Sequence, residues 1–337
     1  MTASRNDATE PGDVLVVDDL SITYRTPNAV VHVLRNVSIR VPHGKIVGIV
    51  GESGSGKSTL AFAVMGLLPA NASITSGTMR FGSIDLLKAS RQELRQVQGA
   101  GIAMIFQNPM TSLNPVMPIG SLMQDVQYRS TSLTARQKRA KATDMLRRVG
   151  LPDPERQLDR YPHQFSGGMR QRIAIATALL NDPMLLIADE PTTALDVTLE
   201  AQVAQLLRDL QKESGQSILF ISHNLGLVAE LCDEIVVLYA GEVVERGDVR
   251  EVLVEPRHPY TRALLECDPL RVEGSPTEGL RRDLPTIPGE VPDLRDVPVG
   301  CVFQSRCRQA YDRCRRERPG PTVLRSGQAI RCHLASS

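Results

Sequence analysis

The chain has 337 residues, 42% hydrophobic and 23% charged, which supplies enough apolar side chains for one large or two ordinary globular domains. Its longest uninterrupted apolar stretches fall well short of the ~20 residues that cross a bilayer, and Met1 to Gly12 is polar with no hydrophobic signal region, so a chain neither secreted nor membrane-spanning by itself is expected. A net charge of +1 with both signs interspersed lacks the basic excess of a nucleic-acid footprint, so small-molecule or protein partners and no nucleic acid are expected.

Residues 1–12 read as a disordered tail. Val14 to Val17, Leu20 to Tyr24 and Val37 to Val41 are short apolar or alternating pieces, as in an antiparallel subdomain. The apolar run Ile46 to Val50 leads into Gly51-Glu52-Ser53-Gly54-Ser55-Gly56-Lys57-Ser58 and then a helical segment, Leu60 to Leu68, which is a phosphate-binding loop in its strand–loop–helix setting. Glycines let successive N–H groups face one point, and the helix adds the positive end of its dipole there, so a polyphosphate fits. Met79 to Phe81 and Ile102 to Phe106 are further β signals. From Asn108 to Pro162 the chain changes character, with Pro109, Pro115 and Pro118 followed by a helix over Ala135 to Val149 closed by Gly150, which predicts a helical insertion.

Beyond it the pattern predicts a helix over Gly168 to Leu180, a buried strand over Met184 to Ala188 and an amphipathic helix through Val203, Leu207 and Leu210 ended by Gly215. Strands Ser217 to Ser222 and Ile235 to Tyr239 follow, with Asn224 to Leu231 helical between them. This alternation predicts an α/β fold with a mostly parallel sheet covered on both faces. From Glu255 the proline density rises, through Pro285, Pro288, Pro292 and Pro298, and a separate small module is expected there.

Phosphoryl transfer needs a metal near the phosphates, a charge clamp and a group that orients the attacking water. Lys57 is the candidate for the β and γ phosphates, Ser58 for Mg²⁺ and Thr59 for the α phosphate. The strand Met184 to Ala188 ends in Asp189-Glu190, where the first carboxylate can hold the metal's water shell and the second can polarise the nucleophilic water.

Phe165-Ser166-Gly167-Gly168-Met169-Arg170-Gln171-Arg172 together with the phosphate loop resembles the signature of ATP-binding-cassette ATPases, and other landmarks of that family fall in order around it. Gln107 matches the Q-loop, Ala194-Leu195-Asp196 the D-loop and His223 the switch histidine, and Tyr24 stands where the family places an adenine-stacking aromatic. The resemblance implies a P-loop ATPase with a RecA-like core, an antiparallel β subdomain and a helical subdomain, with Gln107 joining Ser58 and Asp189 around Mg²⁺. It also implies that Ser166, Gly167 and Gly168 of one subunit close over ATP on the phosphate loop of another, so that hydrolysis requires a dimer. Phe165 and Met169 depart from the common Leu and Gln of the family pattern.

Asn108-Pro109-Met110-Thr111-Ser112-Leu113-Asn114-Pro115, Tyr161-Pro162-His163-Gln164 and His258-Pro259-Tyr260-Thr261-Arg262 are similar to the dipeptide, oligopeptide and nickel importer branch. Gly300-Cys301 through Phe303 to Cys307, then Cys314 and Cys332-His333, resembles that branch's C-terminal module. The implied domains are an ATPase over 13–254, with its helical subdomain at about 108–182, and a module over 255–337. Implied partners are two membrane permeases, a sister ATPase and an extracytoplasmic binding protein, with this chain peripheral on the cytoplasmic face of the membrane and the insertion Asn108 to Pro162 docking the permease. Cassettes that serve DNA repair or translation are the alternative, but they carry long coiled coils or a second cassette, and a P-loop kinase leaves Ser166 to Gly168 unexplained.

Of the six cysteines, Cys232 and Cys267 read as buried thiols, while Cys301, Cys307, Cys314 and Cys332 lie in a proline-rich segment where a metal centre would add stability. Their spacing fits neither common zinc patterns nor bacterial ferredoxin runs and leaves the metal open. The resemblance implies a [4Fe-4S] cluster, with zinc or no metal as alternatives. Arg306, Arg308, Arg313, Arg315 and Arg316 are expected to offset a thiolate cluster's charge and lower the thiol pKa values.

Overall fold

The computed structural model describes residues 12–108, 112–193, 195–268 and 286–336. The expected tail up to Pro11, residues Pro109 to Thr111 of the motif after Gln107, Ala194 and Pro285 lie outside the described residues. The first half of the chain runs β1 (Asp13–Arg25), β2 (Val30–Pro42), β3 (Ile46–Val50), α1 (Lys57–Met65), β4 (Ala72–Phe81), β5 (Ile84–Asp85), α2 (Arg91–Val97) and β6 (Ile102–Ile105). A helical region follows, with α3 (Ile119–Val126), α4 (Ala135–Arg148), α5 (Pro154–Gln157) and α6 (Gly167–Leu179). Then come β7 (Leu185–Asp189), α7 (Val197–Ser214), β8 (Ser217–Ile221), α8 (Leu225–Leu231), β9 (Glu234–Tyr239), β10 (Glu242–Asp248), α9 (Val249–Val254), α10 (Pro259–Glu266), α11 (Asp312–Arg316), β11 (Thr322–Val323) and β12 (Ala329–Ile330). No helix among the described residues is long and apolar enough to cross a membrane.

The strands form two sheets, an antiparallel one in the order β2-β1-β4-β5 and a larger one in the order β11-β12-β10-β9-β3-β8-β7-β6. In the larger sheet β9, β3, β8, β7 and β6 run parallel, with β10 and β12 antiparallel at one side. Between their ends the parallel strands are runs of apolar residues, as expected of strands with both faces covered. Val47, Ile49, Leu185, Ile187, Leu219 and Ile221 pack toward α1 and the antiparallel sheet. Ile46, Val50, Leu186, Ala188, Ile218 and Phe220 pack with the helices of the opposite face. This period of two within one run of apolar residues is the pleat itself.

Three stretches differ from the sequence expectation, each for a local reason. The two pieces expected around Asp18-Asp19 are one strand, β1, which passes through a bulge with Asp19 at φ +49° and its N–H donated to Ser38 Oγ at 3.0 Å. β4 begins at Ala72 rather than Met79, because residues 72–78 are mostly exposed and carry no apolar alternation. β12 pairs with β10 through Glu245 and Ile330, so the end of the chain extends the central sheet with strands two residues long that leave no periodic signal. Beside this junction the buried Glu242 carboxylate receives Arg35 at 2.9 Å and also Arg318, fastening β2, β10 and the C-terminal segment together.

α4 is bounded as expected. Thr134 and Gln137 form a reciprocal capping box at its start, and Gly150 at φ +73° follows its end. Met123 of α3, Ala142, Met145 and Leu146 of α4 and Ile173 of α6 join one core with the central sheet.

Candidate active site

The register of the parallel strands brings the expected residues to one level. Ile49 of β3 and Asp189 of β7 both lie opposite Ile221 of β8, so the phosphate loop, Asp189-Glu190 and Ser222-His223 emerge side by side at the carboxyl end of the sheet. That edge is where open α/β sheets place ligands.

Gly51, Gly54 and Gly56 take positive φ values of 151°, 77° and 102°, which curl the chain between β3 and α1. At Gly56 a Cβ would meet the Leu34 side chain at 2.5 Å, so the loop is sterically closed to a larger residue there. α1 starts with no side-chain cap, whereas Ser166, Asp196 and Asn224 each cap the helices that follow them. The first-turn N–H groups of α1 are therefore the donors left for an anion. Ser53 is an exposed residue of the loop, and Ser55 is buried, its Oγ without a hydrogen-bond partner among the described residues.

Lys57 is buried and donates through Nζ to the carbonyl oxygens of Gly51 at 2.8 Å and Glu52 at 3.0 Å. Burial lowers its pKa, opposed by the carboxylates of Glu190, Asp189 and Glu52. Ser58 Oγ donates to Asp189 Oδ1 at 3.1 Å. Asp189 is itself buried, and desolvation raises its carboxyl pKa despite that bond. Thr59 Oγ1 is 3.1 Å from the Tyr24 hydroxyl, which ties β1 to the helix of the phosphate loop.

Glu190 Oε2 accepts from Gln107 Nε2 at 2.8 Å and from Thr193 Oγ1 at 2.9 Å, and lies 3.6 Å from His223 Nδ1. Glu190 has φ +45°, a left-handed conformation held by its N–H bond to the Ile221 carbonyl. Gln107, Glu190 and His223 are thus brought together, and Ser58 and Asp189 beside them. The hydroxyl, carboxylate and amide oxygens of Ser58, Asp189 and Gln107 form a donor set of the chemistry Mg²⁺ prefers.

The signature residues stand apart from this constellation. Ser166 caps α6 by accepting the Met169 N–H at 3.4 Å, and Ser166 and Gly167 are exposed. Gly168 is buried, its Cβ position 3.3 Å from the Leu199 side chain, just past Asp196, which caps α7 by accepting the Leu199 N–H at 3.0 Å. No hydrogen bond or ion pair among the described residues joins Ser166, Gly167 or Gly168 to the phosphate loop.

Cys301, Cys307, Cys314 and Cys332 line one cavity together with His258, Phe303, Ala310 and His333, all four as free thiols. Among the described residues, however, no three or more His, Cys, Asp or Glu side chains are arranged to hold a metal ion. The expectation that arginines lower the thiol pKa values is corrected. Burial pushes Cys301 up to about 12 and raises Cys307 and Cys332, with the neighbouring thiols adding to the rise. Three of the five arginines are engaged elsewhere, Arg306 with Glu52, Arg313 with Glu317 and Arg316 with Asp312. Cys232 is a buried thiol as expected, and Cys267 is half-buried.

Sequence reading missed the residues that back the phosphate loop. Tyr260 Oη accepts the Glu52 N–H at 3.0 Å, and the Arg306 guanidinium binds the Glu52 carboxylate. His258, one residue before α10, is buried, accepts the Tyr260 N–H on Nδ1 at 3.0 Å and is pushed down to about pKa 3 by burial, so it is neutral. The His258 to Arg262 motif was visible in the sequence, but nothing there pointed to the phosphate loop.

Comparison with known proteins covers nearly the whole chain. Residues 34–193 match the ABC transporter family, and residues 244–314 match the C-terminal region of oligopeptide and dipeptide transporters. The chain is 44% identical over 320 residues to the dipeptide transport ATP-binding protein DppD of Escherichia coli, covering 95% of this chain and 96% of that one. It is 45% identical over 298 residues to the oligopeptide transport ATP-binding protein OppD of Bacillus subtilis, covering 88% and 82%. Among solved structures, the dimeric ABC transporter cassette MJ0796 superposes with a TM-score of 0.63 at 28% identity, over 70% of this chain and 99% of that one. A post-hydrolysis state of the same cassette, bound to ADP and phosphate, superposes equally well, with a TM-score of 0.63.

Proposed function

Because this chain belongs to the ABC transporter family of ATP-binding proteins, and to its dipeptide and oligopeptide transport branch, we propose that it is the ATP-hydrolysing subunit of an importer for dipeptides or longer peptides. The observation that carries the reading is the convergence of Lys57, Ser58, Asp189, Gln107, Glu190 and His223 at one sheet edge beside an uncapped helix N-terminus.

In this reading the N–H groups of the phosphate loop and the Lys57 ammonium hold the β and γ phosphates of ATP, and Tyr24 takes the adenine. Mg²⁺, when bound, neutralises phosphate charge, and Ser58, Asp189 and Gln107 are the residues that would hold it. Glu190 accepts a proton from the attacking water, with Gln107 and Thr193 fixing its carboxylate and His223 beside it. Ser166, Gly167 and Gly168 are exposed or at a helix start, where a second ATPase subunit can receive them, so each nucleotide is completed across a dimer. Asp196 caps α7 through Leu199, the residue against which Gly168 packs.

The assembly we propose contains this chain, a sister ATPase and two membrane permeases that dock on the insertion Asn108 to Pro162, with an extracytoplasmic binding protein delivering the peptide. The chain itself sits on the cytoplasmic face of the membrane. The division into an ATPase over 13–254 and a C-terminal module over 255–337 belongs to the same reading. Four thiols that line one cavity support the further proposal that Cys301, Cys307, Cys314 and Cys332 hold a [4Fe-4S] cluster with a structural role.

Uptake by cells lacking this chain tests the function. Loss of labelled dipeptide or oligopeptide uptake is expected. Loss of nickel uptake with peptide uptake intact would overturn the cargo.

A further inference from the structure

Arg306 lies between two of the cavity cysteines in sequence, yet its side chain points at the phosphate loop. Nη1 donates to Glu52 Oε2 at 2.7 Å and to Tyr239 Oη at 3.3 Å, and Nη2 donates to Glu52 Oε1 at 3.2 Å and to the Ile287 carbonyl at 3.1 Å. Nε donates to the Pro288 carbonyl at 3.0 Å. A guanidinium has five N–H donors, and all of them are used here. The Arg306 side chain is 5% exposed and the Glu52 side chain 24%, so a buried guanidinium meets a partly buried carboxylate fork to fork.

Glu52 is the second residue of the phosphate loop, and its remaining groups are committed as well. Its N–H goes to Tyr260 Oη, and its carbonyl oxygen accepts from Lys57 Nζ at 3.0 Å and from the Ser55 N–H at 3.2 Å. The path from Arg306 through Glu52 to the lysine that faces the phosphates is therefore one continuous set of hydrogen bonds. Tyr239, Tyr260 and Phe303 pack around it with ring centroids 4.5 to 5.4 Å apart, and Phe303 also lines the cysteine cavity.

We propose that Arg306 is a positioning residue for nucleotide binding, which sets the phosphate loop through Glu52 so that the C-terminal segment 301–307 governs the affinity of the site for ATP and ADP. The inference rests on the ATPase reading above. It adds that the phosphate loop is held in shape from the C-terminal segment, a partner 254 residues away in the chain. Lysine offers a point charge without the fork, so it would keep the charge and lose the geometry.

The test uses the full-length chain and a fluorescent ADP analogue with Mg²⁺. Arg306→Ala and Glu52→Gln should each weaken the analogue by about tenfold or more, within the coupling seen for residues of one hydrogen-bonded network. The double variant should be no weaker than either single one, and the exchange Glu52→Arg with Arg306→Glu should recover part of the loss. In the assembled transporter the same variants should raise the KM for ATP more than they lower kcat. If Arg306→Ala fails to fold, Glu52→Gln and Arg306→Lys carry the test. Variants that lower thermal stability but bind the analogue with parental affinity would overturn the positioning role and leave the ATPase reading standing. A parental chain that binds no nucleotide would overturn both.

Discussion

Gln107 donates its side-chain amide to Glu190 at 2.8 Å, joining the second residue past β6 to the first residue past β7, where both strands release the chain. The bond fixes one carboxylate oxygen of Glu190 and leaves the group near His223. Glu190→Gln should therefore keep the hydrogen-bonding frame, retain ATP binding and lose about 10²- to 10⁴-fold in hydrolysis, the range for removal of a positioned general base. Single-turnover hydrolysis by the assembled transporter checks this, and a parental rate would exclude Glu190 as the base.

The phosphate loop separates two glycine requirements. Gly54 has φ +77° and open space around its Cβ position, whereas Gly56 has φ +102° and a Leu34 methyl 2.5 Å away. Gly54→Ala should bring only backbone strain of roughly 1 kcal/mol, while Gly56→Ala adds a steric clash and should reach about 2–3 kcal/mol and abolish ATP binding. Thermal melts and nucleotide titration of the two variants side by side test the order. Equal loss in both would show that strain alone decides.

Asp189 is a buried carboxylate whose pKa is raised by desolvation, with Ser58, Glu190 and Lys57 as its neighbours. The folded state thus binds the proton more tightly than the unfolded chain, and stability attributable to this group falls as pH rises from the ordinary carboxylate value of 3.8 through the folded one. Above the folded value the penalty is fully present in the nucleotide-free chain. Asp189→Asn should raise the melting temperature of that chain at pH 7, lose this advantage in acid, and weaken Mg²⁺-dependent nucleotide binding by about 10- to 100-fold, as expected for a residue that orients a metal's shell. A variant that melts lower at pH 7 would show that the charged carboxylate stabilises the fold.

Local chemistry explains what the sequence disclosed. The phosphate loop, Asp189-Glu190 and the apolar strands beside them carry their own signals, because a glycine curl, a carboxylate pair at a strand end and a run buried on both faces are each written in neighbouring residues. Residues 72–78 of β4 and the whole of β12 were not legible, since an exposed stretch and a two-residue strand owe their existence to ladder partners rather than to their own pattern. The Arg306–Glu52 pair was equally hidden. Arginine beside cysteines invites a reading in terms of the cysteines, and only the folded chain shows that side chain bonded to Glu52 of the phosphate loop.

The four tail thiols give the last prediction. Cys301, Cys307 and Cys332 all have raised pKa values from burial, so in the metal-free chain they should be protonated at neutral pH and slow to alkylate. A metal centre would have to displace those protons and rearrange the thiols, since among the described residues no three of them are placed to hold a metal ion. Protein purified without oxygen should be brown and contain iron and acid-labile sulfide at about four of each per chain. Cys332→Ser should bleach it, and because Cys332 lies outside the 301–307 segment, nucleotide affinity should stay within about twofold of the parent while the Arg306–Glu52 pair holds. Stoichiometric zinc without labile sulfide would replace the cluster by a zinc staple. Colourless, metal-free protein whose thiols resist alkylation until it is unfolded would identify the cavity as a buried cluster of protonated cysteines.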